Sequence, residues 1–183
     1  MTQYKKLFDN SEIEYITPFL KLWMSFNSWY KQNFPDLRTD RDAINNYKNY
    51  GEIKTEFLRL FDHSSDSGIL FNNALYGLVL NLKNYDLKNT RDERVDYAEG
   101  LIGTNGDRRG GKDPIYISTE KKVFQIDSQT KEIFFENTLE IIYQIRCNLV
   151  HGSFDIENQY FLGLVENSYK ILYPIMDRIL QNI

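Results

Sequence analysis

The sequence predicts an all-α fold, an up-and-down bundle of about five helices with a small β-hairpin inserted near residues 113–127. Three observations predict it. Apolar residues recur at three- and four-residue spacing over most of the chain. Residues that start and stop helices bracket those stretches. The one region with strand character is short and lies between helical stretches. With 183 residues, 42% of them apolar and 26% charged, the chain has enough core for one folded unit, taken here as a single helical domain over 1–183.

Residues 1–16 read as a lead-in with room for a short helix. Thr17-Pro18 reads as an N-cap followed by proline at the first helical position. The helix that follows carries Phe19, Leu22, Trp23, Phe26, Trp29 and Tyr30 on one stripe and stops before Pro35. That stripe suits either a core or a dimer seam. Thr39 or Asp40 caps a stretch to about Asn49, Gly51 interrupts, and Glu52–Phe61 resumes. The segment from His63 to Gly68 has the Ser/Asp chemistry of a turn. A helix over about 67–84 follows, with Ile69, Leu70, Leu75, Leu78, Val79 and Leu82 as its apolar positions. Residues 85–113 are polar, glycine-rich and irregular, with 91–99 as a helical candidate. Ile115–Ser118 and Lys122–Ile126 form the hairpin strands. Thr130 caps a long helix, with Phe134, Phe135, Leu139, Ile142, Ile145 and Leu149 inward and Gly152 at its end. The last helix spans about Glu157–Gln181, where Pro174 should kink or break it. No internal repeat is evident.

Composition narrows the function. The net charge is −4 and the pI is near 5.3, which argues against tight non-specific binding to duplex nucleic acid. One cysteine and two histidines cannot supply an internal disulfide or a Cys/His-rich metal centre, so neither a metal nor another cofactor is expected. No run reaches the roughly 18 apolar residues of a membrane span. The N-terminus lacks the apolar core of a secretory signal, so a cytoplasmic location is expected. Gly106 to Lys112 matches the glycines and lysine of a phosphate loop, but Asp113 replaces its Ser or Thr and no strand-to-helix context frames it. That segment reads as a surface loop, with Arg108, Arg109 and Lys112 as a weak RNA-contacting group. His63 lacks a nucleophile on a sharp turn and reads as a surface histidine.

The segment richest in chemistry is Tyr143-Gln-Ile-Arg146-Cys147-Asn148-Leu149-Val150-His151-Gly152. Arg146 is a permanent cation with planar donors suited to phosphate. His151 can take up and release a proton near neutrality. On an unbroken helix the two lie about 140° apart and do not share a face. A break near Val150 would bring His151 back toward Arg146. The residues alone read either as an acid–base site or as a helix end whose Arg and His cap carbonyls.

The pattern from Ile145 and Arg146 through Leu149, His151 and Gly152, late in one long helix and followed by another, resembles the HEPN superfamily of small helical bundles with an Arg-x4–6-His motif. The early segment Leu22-Trp23-Met24-Ser25-Phe26-Asn27-Ser28-Trp29-Tyr30 is also similar to the first helix of several members. The resemblance implies a homodimeric, metal-independent endoribonuclease that cuts single-stranded RNA, of the kind found among toxins with cognate antitoxin proteins and among antiphage-defence effectors. It implies that Arg146 binds the scissile phosphate, that His151 is general base or acid for attack by the ribose 2′-hydroxyl, and that Asn148 orients one or the other. The products would be a 2′,3′-cyclic phosphate and a 5′-hydroxyl. The family commonly has a polar residue directly after the arginine, where this chain has Cys147. Ser153 stands where some family toxins carry a tyrosine modified by a partner nucleotidyltransferase. Two further readings stand beside the enzyme. One is a non-catalytic HEPN-like module binding RNA, nucleotide or a protein partner; the other is a plain helical interaction protein.

Overall fold

A computed structural model describes residues 14–88, 94–95, 116–118, 123–125 and 128–181. Helix α1 (Ile16–Asn33) begins before Thr17-Pro18, with Tyr15 at its N-cap position. The Glu14 carboxylate does the capping: it accepts from the backbone N–H of Ile16 and, at 3.2 Å, from that of Thr17. Pro18 thus falls inside the first turn, where a missing N–H costs nothing. The aromatic stripe is core within one chain: Phe19, Trp23, Phe26, Trp29 and Tyr30 are all buried. Phe26 meets Tyr47 with ring centroids 4.3 Å apart.

Helix α2 (Asp40–Tyr47) opens with a reciprocal capping box between Thr39 and Asp42. The Tyr30 hydroxyl reaches back to the carbonyl oxygens of Leu37 (3.0 Å) and Thr39 (3.2 Å), fixing the preceding loop on α1. Helix α3 (Gly51–Asp62) is separate from α2, so the described residues hold six helices, not five. Phe57 on α3 is its aromatic anchor, touching the rings of Phe61, Phe71, Phe134 and Phe135.

Helix α4 (Asp66–Leu82) starts inside the segment read as a turn, with Ser65 as N-cap. His63 is consumed locally, its Nδ1 accepting from the Ser65 N–H at 3.0 Å. After α4, residues Leu87–Lys88 (β1) pair antiparallel with Arg94–Val95 (β2). This corrects the helical reading of 91–99 at residues 94–95, the only part of it described. The physical reason is the anchor: Leu87 is fully buried and the Lys88 backbone is held from the side, as described below. Tyr116–Ser118 (β3) and Val123–Gln125 (β4) form a second antiparallel pair, with Ile117 opposite Phe124.

Helix α5 (Ser128–His151) begins two residues before Thr130. Helix α6 (Gln159–Leu180) is capped by Asn158 and runs through Pro174 without a break. The core lies among all six helices, with Ala43, Ile44 and Tyr47 as the contribution of α2.

The α4–α6 crossing rests on a short repeat that the sequence reading missed. The pentapeptides Gly77-Leu-Val-Leu-Asn81 and Gly163-Leu-Val-Glu-Asn167 differ at one position. Each Asn donates its amide to the carbonyl of the Gly four residues before it, at 2.9 Å in α4 and 2.7 Å in α6. Each Asn also covers the glycine of the other helix. A Cβ on Gly77 would sit 2.6 Å from Asn167 Oδ1, and one on Gly163 would sit 2.5 Å from Asn81 Nδ2. Gly163→Ala should therefore lower stability by about 1 kcal/mol, because overpacking and the displaced Asn81 hydrogen bond outweigh the helical preference of alanine. Denaturant unfolding checks this: the midpoint should fall at unchanged slope, and an unchanged or higher midpoint contradicts it.

Candidate functional site

The helix carrying the candidate residues stays regular to His151. Its end is set by Gly152, which takes a left-handed φ of 68°, and by a 3.0 Å bond from the Ser153 N–H to the Asn148 carbonyl. This is a glycine-terminated helix end closing in a six-to-one bond. No break at Val150 folds His151 back. Arg146 and His151 therefore lie about 140° apart around α5 and about 7.5 Å apart along it.

Arg146 faces α1 and α2. Its Nη2 forms an ion pair with Asp40 Oδ2 at 2.8 Å, and the two side chains are 20% and 24% exposed. Its guanidinium carbon lies 5.9 Å from the centroid of the Trp23 ring, which in turn contacts Tyr143. The two segments that carry the resemblance, one in α1 and one in α5, thus meet at this arginine. Among the described residues Arg146 has no other polar partner, so most of its five donors are unspent.

Asn148 turns the other way and is buried. Its Nδ2 donates to the carbonyls of Lys88 and Gln144, both at 2.8 Å, and its Oδ1 accepts from the Lys88 N–H at 3.1 Å. The side chain thus pairs with Lys88 as a neighbouring strand would, and pins β1 to α5. It does not meet Arg146 or His151. His151 is exposed at the helix terminus, between exposed Val150 and the turn that presents Ile156. Among the described residues it has no hydrogen-bond or ion-pair partner. Cys147 is buried beside Tyr143. Burial, and then the hydrogen bond with Cys147, push the Tyr143 hydroxyl up from its usual range.

Next to Arg146 lies a polar seam between α2 and α5 that the sequence did not reveal. Arg41 Nη1 donates to both oxygens of Glu140, at 2.8 and 2.7 Å. Lys48 Nζ reaches Glu140 at 3.0 Å, and Gln144 Nε2 does the same at 3.0 Å. Burial pushes the Glu140 carboxyl up, but the bonds from Arg41, Gln144 and Lys48 together outweigh it and hold the group down at about 2. The Arg41 guanidinium also stacks 4.4 Å over the Tyr143 ring. Arg41 and Glu140 are separated by 99 residues, so spacing carries no trace of their contact. Asp40, read from the sequence as a cap, is the first residue of α2 and the counter-ion of Arg146.

Arg108, Arg109 and Lys112, the weak RNA-contacting group, lie outside the described residues. Among the described residues no cluster of three or more His, Cys, Asp or Glu side chains has metal-binding geometry. No described helix is long and apolar enough to cross a membrane. No protein-family model, curated protein or solved structure matches this chain.

Proposed function

We propose that this protein is a metal-independent endoribonuclease acting on single-stranded RNA as a homodimer, in the manner of a toxin or an antiphage-defence effector. The observation that carries the reading is the seat of Arg146. It is a partly exposed guanidinium, oriented by Asp40 and the Trp23 face, with donors left for a phosphate. His151 supplies an exposed imidazole on the same helix, with no partner among the described residues. Because the two groups leave opposite sides of α5, the working centre brings groups of two copies together. Arg146 stabilises the charge that builds on the phosphate, and His151 exchanges the proton of the attacking 2′-hydroxyl or of the leaving oxygen. No metal takes part in these steps.

A second reading, a non-catalytic helical module binding RNA, nucleotide or a protein partner, is favoured by Asn148. Its amide is fully spent on Lys88 and Gln144 and is not free to orient a phosphate or an imidazole. Incubation of the purified protein with labelled single-stranded RNA in EDTA separates the two. The enzyme yields fragments ending in 2′,3′-cyclic phosphate and 5′-hydroxyl. A binding module retards the RNA and leaves it intact.

A further inference from the structure

We propose that Asp40 is a displaceable counter-ion occupying the phosphate seat of Arg146, so that a phosphodiester binds this seam by exchanging with a carboxylate of the protein itself. The inference rests on the functional reading above and concerns the control of the same site.

Three cations, Arg41, Lys48 and Arg146, share two carboxylates, Glu140 and Asp40, in this seam. They are not equally held. Glu140 takes Arg41 and Lys48 together and is further tied to Gln144, so those two cations stay spent. Among the described residues Arg146 has a single ion pair, and both members of that pair reach water. A water-exposed pair of that kind holds its members only weakly. A phosphodiester offers the planar guanidinium two non-bridging oxygens, and so a two-point charge-assisted partner.

Release costs Asp40 little. It is the first residue of α2, where the helix dipole favours a carboxylate with no other partner. It is also not what attaches α2. That helix keeps its Thr39–Asp42 capping box, its Arg41 and Lys48 contacts to Glu140, and its buried Ala43, Ile44 and Tyr47. While Asp40 is in place, however, its charge stands within a few ångströms of any phosphate that approaches Arg146, and repels it.

The test uses a fluorescent single-stranded RNA with 2′-O-methyl groups throughout, which binds but cannot be cut by 2′-hydroxyl attack. Asp40→Asn keeps the shape and removes the charge. It should bind this RNA about tenfold more tightly than the wild type, the size expected for removing one nearby like charge. Asp36→Asn, an exposed carboxylate lost from the preceding loop, should give a much smaller gain. The Asp40→Asn gain should vanish when Arg146→Ala is added. Equal or weaker binding by Asp40→Asn, the same gain from Asp36→Asn, persistence of the gain without Arg146, or no binding by Asp40→Asn at all each overturns the proposal. Cleavage of unmodified RNA is read in parallel. A binding gain with no cleavage by any variant keeps the exchange and removes the ribonuclease; cleavage without the gain does the reverse.

Discussion

Alanine at His151 should slow RNA cleavage by about 10²–10⁴-fold, the usual contribution of a positioned general acid or base, and leave the melting temperature unchanged. The second half follows from the structure. His151 is exposed at the end of α5 and, among the described residues, has no partner, so its removal opens no cavity and orphans no polar group. His151→Gln should be as slow as His151→Ala, because an amide fills the space but moves no proton. Arg146→Ala should cost about 10²–10³-fold through lost charge stabilisation. Arg146→Lys should recover only part of that, since an ammonium lacks the two-point fork. Initial rates on a fluorescent single-stranded RNA in EDTA, with end-group analysis of the products, decide it. Equal cutting by His151→Ala and the wild type would remove His151 from the chemistry.

The largest effect on stability is expected at Gly68. This residue lies in the first turn of α4, buried under the end of α3. A Cβ there would collide with the carbonyl oxygen of His63 and lie 3.0 Å from that of Leu60. Both obstacles are backbone, so no rotamer change relieves them, and the α3–α4 corner would have to open. That corner brings Phe71 against Phe57, whose ring centroids are 5.2 Å apart. Gly68→Ala should therefore destabilise the protein by about 3 kcal/mol, at the upper end for a forced overpacking. Chemical denaturation measures it. A loss under about 1 kcal/mol would mean that the corner yields easily, against the general stiffness of packed interiors.

Much of the helical frame was legible in the sequence because periodicity and capping are local signals. Thr39 caps α2, and Gly152 ends α5 with the one left-handed glycine of the described residues. The start of α1 departs from the Thr17-Pro18 signal because a Glu14 side chain reaching forward leaves only a weak local trace. Leu87 was lost in a polar stretch. Its burial depends on β1 being gripped by Asn148, 60 residues further on from Lys88. Asn148 itself shows how a motif can mislead. Its place between Arg146 and His151 suggests chemistry, yet on a regular helix it turns away from Arg146 by about 160°, and its amide is spent on Lys88 and Gln144. The seat of Arg146 was half legible. The arginine and the Trp23 segment both stand out in the sequence, but their meeting, and the part of Asp40, exist only across the fold. The Gly77–Asn81 and Gly163–Asn167 repeat was readable letter by letter. It was missed because five residues are too few to register as a repeat until two helices are seen to cross there.

That crossing also constrains the order in which substitutions can accumulate. Alanine at 163 is harmful while Asn81 covers the position, yet once Asn81 is replaced by alanine the same change should stabilise the helix by about 0.5–1 kcal/mol, the ordinary advantage of alanine over glycine. The sign of one mutation thus depends on another, and the same holds for Gly77 and Asn167. A lineage can reach an alanine-lined crossing by losing the asparagine first, whereas the reverse order passes through a less stable intermediate. Among descendants of this chain, glycine should therefore persist at 77 and 163 wherever asparagine persists at 167 and 81, and the four positions should drift as two linked pairs.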